Sequence, residues 1–284
     1  MTPCLFVSDL HGHVDRYEKL LRVIRAERPA AVFLGGDLLP GAAALRGGSQ
    51  PDFLSGFLAP AFERLRSDLG AARPEVFLIL GNDDGRAEEG SILEGEARGL
   101  WRYAHARRFT LGGFSVYGYA CVPPTPFLLK DWERYDVSRH VDPGACAPEE
   151  GWFSVEVPED ELRHGTIRKD LAALAGNHDL ERAIFLFHAP PYETCLDRAA
   201  LDGKRFEHVP LDVHVGSIAI RRFLEARGPL VSLHGHVHEA ARLTGSWRER
   251  VGRTHAFSAA HDGPELALVR FAPEDPGAAT RELL

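Results

Sequence analysis

Five short polar motifs in this sequence contain the residue types that bind metal ions. Each motif directly follows an apolar run that predicts a buried strand. The motifs are Asp9-Leu10-His11-Gly12, Gly36-Asp37, Gly81-Asn82-Asp83-Asp84, the single residue His188, and Gly235-His236-Val237-His238. Ligands of open α/β sheets bind in the crevice outside the carboxyl ends of the strands, so we expect these distant motifs to form one site.

The ligand types in these motifs favour a transition metal. Carboxylate and amide oxygens mixed with imidazole nitrogens suit Mn, Fe, Zn or Ni rather than Ca²⁺ or Mg²⁺ alone. The candidate metal ligands are Asp9, His11, Asp37, Asn82, His188, His236 and His238. One ion does not need that many ligands, so we expect two divalent metal ions that share the carboxylate of Asp37. Two ions held in this way clamp both oxygens of a displacement at phosphorus, and a hydroxide between them would be the nucleophile.

The elements that must position these motifs follow an α/β pattern, in which short β-branched and aromatic runs alternate with stretches of helical periodicity. The apolar runs predict strands at 4–8, 31–34, 75–80, 183–187 and 230–233. Helical spacing predicts helices at 14–27, 51–69, 159–174 and 217–226. The alternating run 108–119 predicts a β-hairpin with Gly112-Gly113 as its turn.

The C-terminal part adds predicted strands at 256–260 and 265–271, which we expect to complete a second sheet. Two connections, 122–152 and 189–215, are too long for simple turns and are expected to cover the site and select the substrate. No repeat, linker or low-complexity segment interrupts the pattern, so residues 1–284 are predicted to form a single domain.

The composition limits the kinds of molecule that the protein is expected to bind. A net charge of −8, from 41 acidic and 33 basic side chains, argues against a broad nucleic-acid surface. The four cysteines form no C-x-x-C pair, which indicates a reducing compartment. No apolar stretch approaches the roughly 20 residues of a membrane span, and the N-terminus lacks a signal-peptide pattern. We therefore expect a cytoplasmic protein that binds a small phosphate ester, including a nucleotide, and no membrane. The sequence predicts no oligomeric state.

The ordered set D-x-H, G-D, G-N-x-D, H and G-H-x-H resembles the calcineurin-like metallophosphoesterase superfamily. The motifs extend from Asp9 to His238, which is most of the chain. The resemblance implies a four-layer α-β-β-α sandwich of two mixed β-sheets flanked by helices. It further implies that Asp9, His11, Asp37 and His238 hold one ion, and that Asp37, Asn82, His188 and His236 hold the other. The segment 214–239 also resembles the small bacterial and archaeal branch of the superfamily.

One position departs from this pattern. Most members have G-N-H-D or G-N-H-E as the third motif, and its histidine is thought to protonate or steer the leaving group. Here that position is Asp83. A carboxylate beside two divalent cations stays ionised and is a poor proton donor near neutral pH. Some phosphodiesterase branches also lack the histidine, so the resemblance favours phosphodiesters over monoesters, with Asp83 at the usual catalytic acid position.

A second segment, Gly176-Asn177-His178-Asp179, matches the usual third motif letter for letter. It follows a predicted helix and precedes a strand, so its residues should lie at the amino ends of the strands. Asn82 instead follows the carboxyl end of a strand. We therefore predict that Asn82, and not Asn177, belongs to the site.

Several further residues have two interpretations. We consider Asn82, His236 and His13 as substrate-binding residues, although His13 is equally well an ordinary residue at a helix start. His234, His236 and His238 alternate, which predicts that they share one side of an extended segment, and His234 is interpreted as a core or supporting residue. The aromatic residues of the first long connection could stack on a nucleobase or cover the sheet edge; they are Phe127, Trp132, Tyr135 and Trp152.

These observations predict a binuclear metal-dependent phosphoesterase that acts by attack of a metal-bridging hydroxide. Two alternatives stay open. The first is a catalytically weak or inactive metal-binding scaffold on the same fold, which the missing histidine favours. The second is a phosphomonoesterase. A nuclease acting on long DNA is disfavoured by the net charge of −8.

Overall fold

Two mixed β-sheets of six strands each form the centre of the protein, whose computed structural model describes residues 1–41 and 52–284. Strands are numbered along the chain. The first sheet contains β1 (Cys4–Val7), β2 (Ala31–Gly35), β3 (Glu75–Ile79), β4 (Arg102–Tyr103), β13 (Ala267–Phe271) and β14 (Thr280–Leu283). The second contains β5 (Arg107–Leu111), β6 (Phe114–Tyr119), β7 (Ala183–Phe187), β10 (Val231–His234), β11 (Arg248–Val251) and β12 (Thr254–Ser258). A separate ribbon pairs β8 (Arg205–Phe206) with β9 (Val209–Pro210).

The strand order places all the motif-bearing strands side by side. It is β14-β13-β1-β2-β3-β4 in the first sheet and β11-β12-β10-β7-β6-β5 in the second. Strands β1 to β4 run parallel to one another, and so do β6, β7, β10 and β12. Their carboxyl ends therefore meet at one edge of each sheet, which is where the polar motifs begin.

Helices pack on the outer faces of the two sheets, so the central strands are buried on both faces. They are α1 (Val14–Glu27), α2 (Ala59–Leu69), α3 (Glu89–Ala97), α4 (Glu159–His164), α5 (Ile167–Ala175), α6 (Ile218–Arg227) and α7 (Ala240–Thr244). Every residue of β2 and of β7 is buried, as expected of parallel strands covered on both faces. Aromatic contacts join the sheets: the ring centroids of Phe77 and Phe109 lie 6.0 Å apart, and so do those of Phe257 and Phe271. The predicted four-layer α/β architecture is confirmed.

One predicted strand belongs to a different sheet. Residues 265–271 were expected to complete the second sheet, but β13 pairs antiparallel with β1 in the first. The sequence pattern of this strand does not identify the strand that it pairs with, because it would bury the same residues in either sheet. The short edge strands β4, β11 and β14 are not apparent in the sequence pattern, since their residues are mostly exposed.

The prediction of one continuous helix over 159–174 is wrong, because the segment forms two helices. The segment forms α4 and α5, separated at Gly165, which has an extended backbone with ψ 133°. Thr166 then caps α5, because its side-chain oxygen accepts a hydrogen bond from the backbone N–H of Lys169. The helix predicted at 51–69 appears as a π-helical segment, Leu54–Leu58, followed by α2, and residue 51 lies outside the described residues.

Across the described ranges, no helix is long and apolar enough to cross a membrane.

Candidate metal centre

The candidate ligands converge at the carboxyl ends of parallel strands from both sheets. Backbone hydrogen bonds hold the loops after β1 and β2 together, because the N–H groups of Asp9, His11 and Gly12 donate to the carbonyls of the second motif and the residue after it. The two sheets are joined here as well. His188 Nδ1 lies 2.8 Å from the carbonyl oxygen of Gly35, and the backbone N–H of His236 donates to Asp9 Oδ1 at 3.0 Å. The site is therefore formed by both layers.

Four side chains form a compact ligand cluster. One ligand atom from each of Asp9, His11, Asp37 and His238 lies within 4.8 Å of the others. His238 Nε2 is 3.3 Å from Asp9 Oδ1 and 3.3 Å from His11 Nε2. His11 Nε2 is 3.9 Å from Asp37 Oδ2. This carboxylate and imidazole set is the one that the family resemblance implies for the first ion.

The remaining candidate ligands lie on the other side of Asp37. His188 Nε2 is 3.3 Å from Asp37 Oδ2 and 3.0 Å from Asn82 Oδ1. The ring of His236 stands 5.2 Å, centroid to centroid, from that of His188. The carboxylate of Asp37 thus faces both groups, which is the position that a shared ligand requires.

The residues present fit a bound cation. Oδ2 of Asp9 is buried and has no hydrogen-bond partner among the described residues, an arrangement that is costly for a carboxylate unless a cation completes it. Carboxylate oxygens, an amide oxygen and imidazole nitrogens are ligands of Mn, Fe, Ni and Zn. Glycines leave room around them. A Cβ atom on Gly81 would lie 2.4 Å from Asp37 Oδ1, and one on Gly235 would lie 2.7 Å from Asp9 Oδ2.

Backbone strain accompanies the ligands. Asp9, His11, Asp37 and His236 are non-glycine residues with φ of 56°, 46°, 49° and 74°. This left-handed region is unfavourable for residues with a Cβ, and such residues concentrate at functional sites where the surrounding structure holds them. These four candidate ligands therefore lie in backbone conformations that the surrounding structure must hold.

Charge is balanced within the buried cluster. Burial alone would raise the pKa of Asp9, but the hydrogen bond and charge of His238 hold it well below its usual range. Burial would lower the pKa of His188, whereas the carboxylates of Asp37 and Asp9 raise it to about 9. Burial, together with the charge of His188, lowers the pKa of His236 to about 3, so its imidazole is neutral, the form that binds metals.

Asp84 fixes the third motif against the second. Its Oδ2 accepts hydrogen bonds from the backbone N–H groups of Leu38 and Gly81 at 3.1 and 2.9 Å, and its Oδ1 accepts from Leu39 at 2.8 Å. The side chain is buried and positions the loop that carries Asn82. Asp84 is the last residue of the G-N-x-D motif, which could have pointed to it, but its role in holding the loop was not predicted from the sequence.

Asp83, at the usual acid position, faces the cleft with its carboxylate. Its Oδ2 is 3.4 Å from His11 Nδ1, and its side chain is 42% exposed. Its backbone N–H donates to Asp37 Oδ1 at 2.8 Å. The residue therefore contacts one ligand with its side chain and a second with its backbone.

The second copy of the motif lies elsewhere. Asn177 is in the turn between α5 and β7, at the amino end of β7, whereas the candidate ligand His188 follows the carboxyl end of the same strand. Arg227 donates to the carbonyls of Gly176 and His178 at 2.9 Å, and the Tyr117 hydroxyl is 3.3 Å from His178 Nδ1.

The three alternating histidines do not share one side of an extended segment, and that expectation is wrong. Strand β10 ends at His234, and the chain turns at His236, where φ is 74°. His234 is fully buried, lies 2.9 Å from the carbonyl oxygen of Ala189 and stacks on Phe187. It is a core residue. His13 is exposed at the start of α1, outside the residues that line the cleft.

The ligand cluster opens into a cleft of about 740 Å³. The metal-binding motifs form one wall of the cleft, and the first long connection forms the other. The lining residues are His11, Asp37, Asn82, Asp83, His236, His238 and Glu239 on the first wall and Pro126, Phe127, Leu128, Leu129 and Trp152 on the second. Phe127 and Trp152 are identifiable as candidates from their aromatic type, whereas no pattern in the sequence points to Leu128 or Glu239.

Comparison with known proteins agrees with this arrangement. The family model of the calcineurin-like phosphoesterases matches residues 2–240. No curated protein matches the sequence. Among solved structures, TT1561 of Thermus thermophilus is similar over 99% of this chain and 98% of that chain, with a TM-score of 0.57 and 17% identity. A dimetal phosphatase from Danio rerio is similar over 94% of both chains, with a TM-score of 0.52 and 15% identity. At these identities the two structures show that the fold is shared.

Proposed function

The chain belongs to the calcineurin-like phosphoesterase family, a family of metal-dependent phosphoester hydrolases, and we propose that it is a binuclear enzyme that prefers phosphodiesters. The observation that carries the proposal is the position of the Asp37 carboxylate. It lies between His11, in the cluster with Asp9 and His238, and His188, which contacts Asn82. We assign the first group to one divalent ion and Asp37, Asn82, His188 and His236 to the other, with Mn, Fe, Zn or Ni as candidates.

When bound, two divalent cations activate water and neutralise charge on the phosphoryl oxygens. The side chains of this protein supply the geometry. Asn82 directs its Oδ1 at His188, so its Nδ2 is the end that can donate to a phosphoryl oxygen of the substrate. Asp84 holds that loop through its backbone hydrogen bonds, and Asp9 fixes the loop of His236 by accepting the backbone N–H of that residue. These contacts pre-organise the substrate-binding atoms.

Two features support a phosphodiester. The carboxylate of Asp83 faces the cleft and contacts His11, so it adds negative charge where a monoester dianion would bind. A diester carries only one negative charge. The same position lacks the histidine that would assist departure of a poor leaving group. A monoesterase is the second candidate activity, and an inactive metal-binding scaffold is the outcome that the missing acid would favour.

Hydrolysis of bis-p-nitrophenyl phosphate and p-nitrophenyl phosphate by the Mn²⁺-reconstituted protein tests the proposal. We expect metal-dependent activity that is greater on the diester. Asn82→Ala should lower kcat/KM by about 10²-fold, because it removes a donor to the developing charge. Asn177→Ala is the matched control, since it changes the same residue type in the second copy of the motif, and it should leave the activity unchanged. If the wild type binds two ions but hydrolyses neither substrate, the inactive metal-binding scaffold would be favoured.

The absence of an acid predicts a steep dependence on the leaving group. We expect the wild type to hydrolyse methyl p-nitrophenyl phosphate at least about 10²-fold faster than methyl phenyl phosphate, since a general acid typically contributes 10²–10⁴-fold. Asp83→His should narrow this ratio, and Asp83→Asn should not. Steady-state kinetics with the two diesters measure it. A ratio near one in the wild type would show that another group protonates the leaving oxygen.

We further propose that residues 1–284 act as a single domain in the cytoplasm on a small phosphodiester, with nucleotides among the candidate substrates. The four cysteines support a reducing compartment, because each is unpaired in the structure. Cys4 and Cys121 are buried in the core.

A further inference from the structure

An exposed apolar surface forms the second wall of the metal-binding cleft. We call Pro126, Phe127 and Leu128 the apolar ledge. Phe127 and Leu128 are 61% and 57% exposed, which makes them, after Met1, the most exposed large hydrophobic residues in the part of the chain that the structure describes. Both line the same cleft as His11, Asp37 and His238. Exposed apolar groups beside a polar site mark a binding surface.

Hydrogen bonds to neighbouring residues fix the backbone of the ledge. The N–H of Phe127 donates to Thr125 Oγ1 at 3.0 Å, and the carbonyl of Leu128 accepts from the N–H of Trp152 at 2.8 Å. Directly after the ledge, the fully buried Lys130 and Glu133 form an ion pair at 2.5 Å that also binds Thr125. A surface that is already ordered loses little conformational entropy when a ligand binds.

The ledge is also tied to the metal-binding motifs. Asp131 accepts hydrogen bonds from the backbone N–H of Arg86 at 2.7 Å and from that of Ser154 at 2.8 Å. Arg86 follows the third motif by two residues. The distance between the ledge and the ligand cluster is therefore set by the fold and not by the position of a free loop.

The charge of the cleft restricts what the ledge can bind. None of the described residues that line the cleft is lysine or arginine, whereas Asp83 and Glu239 are acidic. A second phosphate group, or a polyanion, would find no lysine or arginine side chain among these described residues. The complementary substituent is uncharged and apolar, and an aromatic ring matches the exposed ring of Phe127.

We propose that the ledge is the subsite for an uncharged aromatic substituent of the phosphodiester, with Phe127 and Leu128 as specificity-determining residues. The proposal rests on the proposed function, because it takes the phosphoryl group to lie at the metal centre. Aryl phosphodiesters are then preferred over alkyl phosphodiesters of the same charge.

Two monoanionic phosphonate esters, in which the only leaving group is the poor leaving group methoxide, test the subsite. Monomethyl phenylphosphonate and monomethyl methylphosphonate differ only in the phenyl group on phosphorus. Isothermal titration of the Mn²⁺-loaded full chain should show that the phenyl compound binds about 10-fold more tightly, as expected of an aromatic contact with its buried area. Phe127→Ala should reduce this advantage to less than about 3-fold and leave the affinity for the methyl compound unchanged. Phe127→Leu, which keeps the apolar surface without the ring, should give an intermediate advantage.

Phe206→Ala is the matched control, because Phe206 is 52% exposed on β8 and does not line the cleft. It should bind both compounds as the wild type does. Equal affinity of the wild type for the two phosphonates, or a phenyl advantage that survives both Phe127→Ala and Leu128→Ala, would overturn the subsite. A phenyl advantage that Phe127→Ala removes, in a protein that hydrolyses neither nitrophenyl ester, would support the subsite and reject the proposed activity. Hydrolysis without a phenyl advantage would reject the subsite alone.

Discussion

Asp37→Ala is expected to lower kcat/KM for bis-p-nitrophenyl phosphate by at least about 10³-fold and to reduce the bound metal below two ions per chain. Asp37 Oδ2 lies between His11 Nε2 and His188 Nε2, at 3.9 and 3.3 Å. Its removal takes a ligand from both proposed ions at once. Stabilisation of charge by a metal supplies several kcal/mol in the transition state, and each 1.36 kcal/mol is a factor of about ten in rate.

Metal content by elemental analysis and circular dichroism, both measured on the protein used for kinetics, separate the loss of ions from the loss of fold. Asp37→Asn is the matched variant, since its Oδ1 keeps the hydrogen bond that the backbone N–H of Asp83 donates. It should retain more metal than the alanine variant and remain strongly impaired. Two ions and near wild-type turnover in Asp37→Ala would show that the carboxylate is not shared.

The central part of the fold is predictable from the sequence because burial leaves a direct mark on it. Strands β2 and β7 are apolar at every position, with glycine at the end of β2, and each ends at a polar motif. The hairpin of β5 and β6 has its turn at Gly112, where φ is 54°. These elements are encoded by residues that are adjacent in the chain.

The predictions that failed concern features that depend on contacts between distant residues. Nothing local decides that β13 pairs with β1 and not with a strand of the second sheet. The break between α4 and α5 depends on a single glycine in a helical pattern, and isolated glycines are tolerated within helices. His234 and His236 separate because the chain turns at a residue with positive φ, where a non-glycine residue leaves no sequence signal.

The convergence of the candidate ligands at one edge was predictable, and so was a covering role for residues 122–152, but the position of the ledge within that connection was not. Each ligand follows a strand, and the topology of a parallel sheet makes such residues converge. The ledge is different, because residues 122–152 form no long element whose period would predict its direction. Its position follows from the ion pair below it and from the contacts of Asp131 with the third motif.

The same buried ion pair, between Lys130 and Glu133, should also affect the stability of the fold. Lys130→Met is expected to lower the free energy of unfolding by about 3–5 kcal/mol at about pH 9, because it leaves the carboxylate of Glu133 buried without its cation. Both side chains are fully buried, with Nζ 2.5 Å from Oε2. Burial raises the pKa of Glu133 to about 7, although Lys130 and Thr125 lower it. Loss of the lysine raises that pKa further.

The pH dependence has a definite sign. A carboxyl whose pKa is raised in the folded state is neutral, and costs nothing, at low pH; stability is lost as the pH rises through the folded pKa. The variant has the higher folded pKa, so its deficit relative to the wild type is larger at about pH 9 than at about pH 6. Urea unfolding at the two pH values measures this deficit.

The double variant Lys130→Met with Glu133→Gln should recover most of the lost stability, since no buried charge is left unpaired. Arg163→Met, which breaks the exposed pair with Glu159, is the control and should change stability by less than about 1 kcal/mol at either pH. A deficit in Lys130→Met that is the same at both pH values would show that lost packing, and not the unpaired carboxylate, causes the destabilisation.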